Sequence, residues 1–466
     1  MRSEKTKAKI SPALLAGILT FAIILVIYIG TSIYFMKHFY FGTVINGIKA
    51  TGKTVDEVES EVAKQTENYT LELKERGDKT ESISSDQIDL KYVSDDKIKE
   101  IKNNQNAFFW IGSIFSSKNS DLDVNVSYDE NKLSKVIDNL SCLNEKNVTN
   151  PQNAKVEYDG NNFTIKDEVM GNKVIKETLS SAISEKVKKG VQVLNLESEN
   201  CYENPVYNKD SQEVKNALDT MNSYAKTNVT YEIGDSKETV TGTSISKWLY
   251  TDDNMNVQIN KDLVLNYVTS LAKKYNTYYA TRSFKTSTGS TVKVVGGDYG
   301  WIIDKSSETD KLIDNIKASE TVTREPEYSQ RAAQHGSNDI GNTYVEINLS
   351  KQHLWVYVNG SVTVETDFVS GNVSAGTATP AGTYMLKYKE RDKILTGANN
   401  EYNSPVKYWM PFNGGIGLHD ADWRDTFGGS IYQYGGSHGC INLPVDKAAE
   451  VFNCVNAGMP VVCYNE

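Results

Sequence analysis

The stretch that decides the fold of the C-terminal part of this chain is residues 352–365, Gln-His-Leu-Trp-Val-Tyr-Val-Asn-Gly-Ser-Val-Thr-Val-Glu. β-Branched and aromatic residues lie on both sides of Asn359-Gly360, and an Asn-Gly pair between two such runs predicts a two-residue β-hairpin turn. A further strand-like run at 344–348 precedes the hairpin. The pattern of short strands from residue 343 to 466 predicts a mainly-β domain of ordinary size.

The same domain carries a cysteine with two histidines upstream of it. Residues 437–442 read Ser-His-Gly-Cys-Ile-Asn, and His419 precedes them. A thiol attacks a carbonyl as its thiolate, and an imidazole that takes the proton is the usual way to activate it near neutral pH. Gly439 lets the backbone turn sharply before Cys440, so that successive N–H groups can point at a developing oxyanion. These residue types predict an acyl-transfer site.

Three motifs together are specific enough to indicate a family. They are Thr-Pro-Ala-Gly-Thr-Tyr at 379–384, Ile-Gly-Leu-His at 416–419 and Ser-His-Gly-Cys-Ile-Asn-Leu at 437–443. In this order they resemble the L,D-transpeptidases, also called YkuD-like catalytic domains, over residues 343–466. The resemblance implies a sandwich-like β domain that acts on peptidoglycan stem peptides. It would cleave the bond before the terminal D-alanine of a donor tetrapeptide and pass the acyl group to an acceptor amine, which gives a 3→3 cross-link.

The resemblance also implies roles for individual residues. Cys440 is the nucleophile, and His419 takes its proton and later gives it to the departing amine of D-alanine. The backbone N–H groups of Gly439 and Cys440, with His438 beside them, hold the oxyanion. A strained acyl donor such as a carbapenem is expected to acylate the thiolate. No cofactor and no metal are implied.

Two groups compete to orient His419. Ser437 is a candidate to accept the ring N–H on the side away from the thiol, which would fix the tautomer of the imidazole. The family more often uses the backbone carbonyl just after the histidine, and here that position is Asp420. Trp423 and Asn442 fall at positions that resemble substrate-pocket residues of the family. Packing of Trp423 over the site, and bracing of a turn by the Asn442 amide, are equally compatible with the sequence.

The middle of the chain contains a degenerate repeat whose elements recur in the same order. An alternating hairpin with a Gly-Asp turn leads into a short polar helix start, then a strand runs into an amphipathic helix, and a further pair of strands follows. The equivalent segments are 69–90 and 229–250, 124–140 and 257–271, and 155–165 and 292–303. Two copies of one α+β module fit this order best.

The repeat and the composition divide the middle of the chain into three parts. The modules are expected at 37–210 and 211–320, and they loosely resemble the peptidoglycan-binding modules that precede this catalytic domain in some Gram-positive members. Binding of glycan strands and simple spacing of the active site from a membrane are both open to them. Residues 321–342 are rich in Ser, Gln, Glu, Ala and Asn, which predicts a linker.

Residues 12–36 contain no charged residue and are almost wholly apolar. A helix needs about 20 such residues to span a bilayer, so the length fits. The tail at 1–11 carries four basic residues against one acidic residue, which places it in the cytoplasm by the positive-inside rule. The bulky residues that end the segment argue against signal-peptide cleavage. We expect a single-pass anchor in the cell membrane, with the catalytic domain on the cell-wall side.

The net charge of −10 and the pI near 5.3 argue against a nucleic-acid partner, because neutralising phosphates requires clustered Lys and Arg. Five cysteines are too few and too scattered for a disulfide framework. Bridges from Cys142 to Cys201 and from Cys454 to Cys463 would leave Cys440 free, and buried inert thiols are the alternative.

The residues leave three alternatives to a transpeptidase. His419, His438 and Cys440 are possible zinc ligands of a cell-wall peptidase or carboxypeptidase, but no fourth ligand with a recurring spacing is evident. A papain-like cysteine peptidase has its cysteine before its histidine, whereas His419 comes first here; such order alone does not decide the matter. A non-catalytic wall-binding protein would usually have lost Cys440 or His419, and both are present.

Overall fold

The computed structural model describes residues 11–336, 338–397 and 403–466. The cytoplasmic tail expected at 1–11 therefore lies, apart from its last residue, outside the described residues. The chain divides into two compact units. The first runs from the N-terminus to Lys155 and from Asp167 to Lys209, and the second contains Val156–Lys166 and Asp210–Glu466.

Residues 11–209 form one long apolar helix followed by short strands and helices. In chain order these are α1 (Pro12–Phe35), β1 (Thr43–Ile45), β2 (Ile48–Lys49), α2 (Val55–Glu67), β3 (Thr70–Lys74), β4 (Thr80–Ser84), α3 (Ser85–Ile88), β5 (Lys91–Tyr92), α4 (Lys97–Asn103), α5 (Trp110–Ser113), β6 (Lys118–Ser120), β7 (Val126–Ser127), α6 (Glu130–Asp138), β8 (Lys155–Tyr158), β9 (Phe163–Lys166), α7 (Lys176–Lys189) and β10 (Val193–Asn195). The hairpin of β8 and β9 belongs to the second unit.

Helix α1 is long and apolar enough to cross a membrane, by its length and composition. Ser11 caps it by accepting a hydrogen bond from the N–H of Leu14, and Pro12 occupies the first turn, where a missing N–H costs nothing. None of its most apolar window is buried within the protein. A helix that is apolar on every side is compatible with the span expected from the sequence, while the membrane crossing and its sidedness stay predictions.

The elements of residues 210–342 repeat much of the earlier pattern. They are α8 (Gln212–Ala225), β11 (Asn228–Ile233), β12 (Ser236–Val240), α9 (Gly242–Ile245), β13 (Leu249–Thr251), β14 (Val257–Ile259), α10 (Lys261–Tyr275), β15 (Arg282–Lys285), β16 (Thr291–Val294), β17 (Ile302–Ile303), α11 (Lys305–Lys317), β18 (Thr321–Arg324) and β19 (Tyr328–Gln330). The modules share a three-stranded sheet, β10-β3-β4 in one and β18-β11-β12 in the other, whose third strand pairs in parallel. The predicted repeat is therefore present in the fold.

Two details of the repeat differ from the sequence prediction. The sequence equated residues 155–165 with 292–303, which would match the hairpin β8–β9 to β16 and β17. In the structure β16 pairs with β15, while β17 pairs with β19, so the hairpin β8–β9 corresponds to β15–β16. The segment 321–342, predicted as a linker, contributes β18 to the sheet of the second module and β19 to a further pair. These strands are three or four residues long and contain no fully buried residue, so they lack the apolar periodicity by which a sequence predicts a strand.

The C-terminal domain is a two-sheet sandwich. Its elements are β20 (Tyr344–Asn348), β21 (His353–Val358), β22 (Ser361–Asp367), β23 (Gly382–Met385), β24 (Glu390–Thr396), β25 (Asn403–Asn413), β26 (Ile416–Asp420), α12 (Tyr432–Gly435), β27 (Ile441–Leu443), α13 (Val445–Cys454) and β28 (Pro460–Tyr464). The sheets have the orders β22-β21-β20-β28-β23 and β24-β25-β26-β27. Their inner faces and α13 share one apolar core. The mainly-β, sandwich-like fold is thus confirmed.

The hairpin predicted at residues 352–365 forms as expected. Asn359 and Gly360 both have positive φ, 50° and 80°, as a turn of the type favoured in two-residue hairpins requires. All five cysteines lie in the described part of the chain and all are free thiols. The two disulfides that the cysteine count allowed are therefore not formed, and Cys142, Cys201 and Cys463 are buried.

Candidate active site

Two parallel neighbouring strands bring the central residues of the site together. Strand β26 pairs with β27 in a register that sets His419 beside Asn442. Residues at matching positions of adjacent strands point to the same face of a sheet, and both of these side chains are buried. Cys440 directly precedes β27. The sheet pairing therefore joins two motifs that are separate in sequence.

The turn before Cys440 is held by Ser437. The Ser437 hydroxyl donates to the carbonyl of Cys440 at 2.6 Å and accepts from the N–H of Gly439 at 3.0 Å. Gly439 has a φ of 124°, and a Cβ at this position would come within 3.0 Å of the side chain of Ile416. Glycine is required here for its conformational range and for this close approach. Ser437 thus braces the turn and does not contact His419 through a hydrogen bond in this structure.

The threonine of the 379–384 motif supports the same turn from behind. The Thr379 hydroxyl donates to the carbonyl of Gly439 at 2.7 Å and accepts from the N–H of Gly371 at 3.0 Å. The neighbouring Thr377 hydroxyl donates to the carbonyl of Ser437 at 2.9 Å. These bonds fix the backbone on which the cysteine is presented, which explains why this motif accompanies the Ser-His-Gly-Cys motif.

His419 is oriented by the backbone carbonyl of Asp420. Its Nδ1 lies 2.8 Å from that oxygen, while the Asp420 carboxylate accepts from the N–H of Tyr408 at 2.8 Å. Of the two groups that competed in sequence, the carbonyl at position 420 makes the bond. Burial lowers the pKa of His419 below its ordinary value, although the Asp420 carbonyl opposes this effect. The imidazole is therefore neutral near neutral pH.

A chain of two hydrogen bonds connects the other nitrogen of His419 to an arginine. The Nε of Arg424 donates to Oδ1 of Asn442 at 2.9 Å, and Nδ2 of Asn442 lies 2.9 Å from Nε2 of His419. Because a guanidinium can only donate, Asn442 must present its oxygen to Arg424 and its NH₂ to the imidazole. Nε2 is then the acceptor, and the proton lies on Nδ1. Arg424 was not identified from sequence.

Cys440 is half-buried, with its sulfur 3.6 Å from the carbonyl of Gly415. Burial raises the pKa of the Cys440 thiol to about 11, against the opposing effect of the Gly417 N–H. A raised thiol pKa beside a lowered imidazole pKa means that both groups are neutral at rest. The resting site holds a thiol and a free base rather than a preformed ion pair.

A pocket of about 260 Å³ opens over these groups. Six of the seven residues singled out in sequence line it, namely His419, Trp423, Ser437, His438, Cys440 and Asn442. The seventh, Gly439, is buried and does not line the pocket. The ring of Trp423 is half exposed, 5.9 Å from that of His419. Arg424 completes the polar side of the pocket.

The geometry does not support a zinc site at Cys440. Both ring nitrogens of His419 are already engaged, one with a carbonyl and the other with an amide. Among the described residues, three possible ligand atoms lie within 4.8 Å of one another at Glu75, Glu81 and Cys142 in the first unit. A zinc ion bound by His419 would have to displace one of the two hydrogen bonds of its ring.

Family comparisons agree with the division seen in the fold. Residues 342–463 match the L,D-transpeptidase catalytic domain. Residues 81–194 and 207–324 each match a putative peptidoglycan binding domain. The second of these matches ends with β18, inside the segment that sequence composition marked as a linker. No curated protein matches the chain.

Solved structures of L,D-transpeptidases are similar to this chain. A cysteine-to-serine variant of the Enterococcus faecium L,D-transpeptidase is 38% identical, covering 53% of this chain and 99% of that one, with a TM-score of 0.45. An avibactam carbamoyl enzyme is 38% identical over 54% and 99% of the two chains, with a TM-score of 0.45. The E. faecium catalytic domain acylated by ertapenem is 45% identical over 26% and 97%, with a TM-score of 0.25. With 38% identity over 99% of such a relative and a matching catalytic domain, this chain belongs to the L,D-transpeptidase family.

Proposed function

We propose that this protein is a membrane-anchored L,D-transpeptidase that forms 3→3 peptidoglycan cross-links through a Cys440 acyl-enzyme and releases D-alanine from a tetrapeptide donor stem. One observation carries the proposal. The Cys440 thiol and the His419 imidazole line the same pocket, and the imidazole is held in the tautomer whose Nε2 accepts a proton. A neutral base beside a neutral thiol is suited to concerted proton removal during attack.

Acylation uses both groups in turn. The Cys440 sulfur attacks the carbonyl carbon that precedes the terminal D-alanine, and its proton passes to Nε2 of His419. The tetrahedral intermediate then collapses, the C–N bond breaks, and the imidazolium protonates the departing amine. D-alanine leaves, and the donor stem remains as a thioester on Cys440.

Transfer to the acceptor stem reverses the same proton movements. The acceptor amine attacks the thioester carbon and loses its proton to the neutral His419. The C–S bond breaks, and the thiolate recovers the proton from the imidazolium. The products are a new amide between two stems and a resting site with its thiol and neutral base restored.

Backbone N–H groups of Gly439 and Cys440 are proposed to hold the oxyanion, with the exposed His438 at the pocket rim beside them. At rest the Gly439 N–H donates to the Ser437 hydroxyl. An oxyanion is a stronger acceptor than a neutral hydroxyl, so this N–H is expected to turn toward the intermediate. Ser437 keeps the turn closed meanwhile through its bond to the Cys440 carbonyl.

Asn442 and Arg424 are proposed to set the state of the base. The Asn442 amide occupies Nε2 of His419 at rest, so the thiol proton must compete for that lone pair when the substrate binds. The same bond fixes the productive tautomer, and Arg424 fixes the amide. Trp423, half exposed at the pocket mouth, is proposed to contact the donor stem.

The rest of the chain is proposed to place this site at the cell wall. Helix α1 would span the membrane once with the tail at 1–11 in the cytoplasm. The modules, expected at 37–210 and 211–320, would bind peptidoglycan, as the matching domain family suggests. Carbapenems are proposed to acylate Cys440, since the similar E. faecium domain is described as acylated by ertapenem.

The proposal is tested by incubating the full-length protein with defined tetrapeptide-bearing muropeptides and analysing the products by mass spectrometry. The expected product is a dimer whose mass is that of two tetrapeptide stems less one D-alanine, with the bond between third residues established by fragmentation. Release of D-alanine without any dimer would identify a carboxypeptidase instead. Dimers that retain the donor D-alanine would contradict the proposed chemistry.

A further inference from the structure

Residues 107–115, Ala-Phe-Phe-Trp-Ile-Gly-Ser-Ile-Phe, form an apolar segment in the first unit that the transpeptidase chemistry does not use. No charged residue lies between Lys102 and Lys118. The segment folds as a 3₁₀ turn at Ala107–Phe109 that continues into α5. The Asn106 side chain accepts from the N–H of Phe108 at the start of the turn. The segment is thus an ordered, helical protrusion.

Its large side chains are exposed. The exposed fractions are 49% for Phe108, 72% for Phe109, 48% for Ile111, 51% for Ile114 and 87% for Phe115. Burying side chains of this size is favourable in proportion to the apolar area removed from water, so exposing five neighbouring ones to water forgoes a large stabilisation. A contiguous patch of this kind marks an interaction surface.

The segment contacts the anchor helix well inside its apolar span. The hydroxyl of Tyr28 donates to the carbonyl of Phe108 at 2.6 Å. The ring of Trp110 lies 6.1 Å from that of Tyr28 and 6.1 Å from that of Phe35. Tyr28 precedes the last residue of α1 by two turns, a distance of about 10 Å along the axis. The segment therefore lies beside the part of α1 that a bilayer would surround.

We propose that residues 107–115 insert into the outer leaflet of the membrane and contact lipid acyl chains beside α1. The inference rests on the proposed membrane anchor. Whatever surrounds α1 at the level of Tyr28 also surrounds Phe108 and Trp110, because these residues touch. Backbone hydrogen bonds from the N–H of Phe109 to the carbonyl of Asn106 and from the N–H of Ile114 to the carbonyl of Ile111 close two turns of the segment. A helix this short leaves backbone groups unpaired at its ends, which headgroups and water can satisfy at the depth of about 5–10 Å that is usual for interfacial helices.

The two ends of the segment fit this position. Lys118 is exposed just past the apolar run, where an anionic headgroup would face it. On the other side, the Gln105 side chain accepts from the N–H of Tyr40 at 3.0 Å and donates to the Thr43 hydroxyl at 3.1 Å. These bonds tie the segment to the chain that leaves α1. The first unit is then fastened to the bilayer at two points rather than one.

Photocrosslinking of the full chain in bilayers tests the inference. The photoreactive residue p-benzoylphenylalanine is placed singly at Phe109, Phe115, Val26 or Val206, and each protein is reconstituted in vesicles of equal parts phosphatidylglycerol and phosphatidylcholine. Val26 is an exposed residue of α1 and reports on the anchor itself. Val206 is the matched control, since it is 77% exposed in the same unit but far along the chain from the segment.

Lipid adducts at Phe109 and Phe115, detected by intact-protein mass spectrometry at yields comparable with Val26 and absent at Val206, are the expected result. Adducts at Val26 without adducts at Phe109 and Phe115 overturn the inference while leaving the anchor intact. No lipid adduct at Val26 means that the anchor proposal fails and the inference with it. Products of twice the protein mass at Phe109 or Phe115, without lipid adducts, identify a second copy as the partner and also overturn it.

Discussion

Two arginines in the second unit, the buried Arg282 and the half-buried Arg424, distinguish the region that joins the second module to the catalytic domain from the catalytic pocket. Arg282 of β15 donates through Nε and Nη2 to the Asp339 carboxylate, both at 2.7 Å, and Asp339 is itself buried. Arg424 donates to the neutral amide of Asn442. In the part of the chain that the structure describes, Arg424 has no carboxylate within ion-pair distance.

The difference shows how the same residue type is used in two ways. At the junction, the ion pair of Arg282 and Asp339 fixes the segment that precedes the catalytic domain. Ser287, which follows β15, donates through its N–H and its hydroxyl to the carboxylate of Glu346 on β20. In the pocket, partial burial lowers the pKa of Arg424, and no carboxylate of the described residues forms an ion pair with it. We expect the complete ion pair to contribute to structure and the unpaired cation next to the base to act on the chemistry.

Cys440→Ala is expected to give the largest effect, a loss of catalysis in the pocket without a loss of stability. Without a nucleophile, acyl transfer should fall by about 10⁴-fold or more, measured as muropeptide dimer formation and as carbapenem adduct formation by intact-protein mass spectrometry. The thermal unfolding midpoint should hardly change, because the removed sulfur is half-buried at the pocket wall.

The matched control is Cys454→Ala, which removes another half-buried free thiol of the same domain. It should keep its carbapenem adduct and its cross-linking rate. Equal adducts on wild type and Cys440→Ala, or loss of the adduct in Cys454→Ala with the fold intact, would show that Cys440 is not the nucleophile.

Arg282→Ala is expected to do the opposite of Cys440→Ala and to lower the stability of the protein. Breaking a buried pair leaves Asp339 charged and uncompensated, which typically costs about 3–5 kcal/mol. Denaturant unfolding of the full chain should show this as a lower midpoint. Arg331→Ala is the control, because its pair with Glu325 is largely exposed and such pairs contribute about 0–1 kcal/mol. Equal effects of the two substitutions would mean that the junction is not held by this charge pair.

Local sequence patterns predict individual strands of the catalytic domain, whereas pairings between strands that are distant in sequence determine how these strands assemble around the site. The hairpin of β21 and β22 follows from residue types and an Asn-Gly turn within one short stretch. The parallel pairing of β20 with β28 joins segments from opposite ends of the domain, and no local pattern encodes it. The composition of 321–342 does not predict strand β18, because β18 is four residues long, contains no fully buried residue, and has threonines at its two exposed positions.

The candidate site shows the same limit. Cys440 and His419 were recognisable because their motifs are contiguous and chemically distinctive. The role of Ser437 was not, since a hydroxyl three residues before a thiol can face the turn or the base, and only the hydrogen bonds of the folded turn show that it faces the turn. Arg424 could not be identified because it follows β26 in a segment without regular structure, and its partner Asn442 lies 18 residues further along the chain.

Arg424→Ala is expected to reduce cross-linking by about tenfold, the usual scale for losing one hydrogen bond to a charged donor, with little change in stability. Asn442 could then turn its oxygen toward Nε2 of His419. Because Nδ1 still donates to the Asp420 carbonyl, only the protonated ring can also donate to this oxygen, so the pKa of His419 should rise and less free base should remain. Arg424→Lys, whose ammonium can still donate to Oδ1 of Asn442, should restore part of the rate. Nitrogen NMR of His419 should show the larger imidazolium fraction in the Ala variant only. Identical spectra would limit Arg424 to a packing role.

The smallest expected effect is a shift of the acid limb of the pH–rate profile, followed as the rate of carbapenem acylation. Protonated His419 cannot accept the thiol proton, so the rate should fall as pH drops through the pKa of His419, which burial holds below the ordinary histidine value. Above that limb the rate should stay level, because burial raises the pKa of Cys440 to about 11.

The nearby Arg424 charge also lowers the pKa of His419. Arg424→Ala should therefore move the limb to higher pH, whereas Arg424→Lys, which keeps the charge, should leave it close to that of the wild type. A limb that moves to lower pH in Arg424→Ala would contradict the electrostatic role, and an acid limb above the ordinary histidine value in the wild type would indicate a preformed thiolate–imidazolium pair.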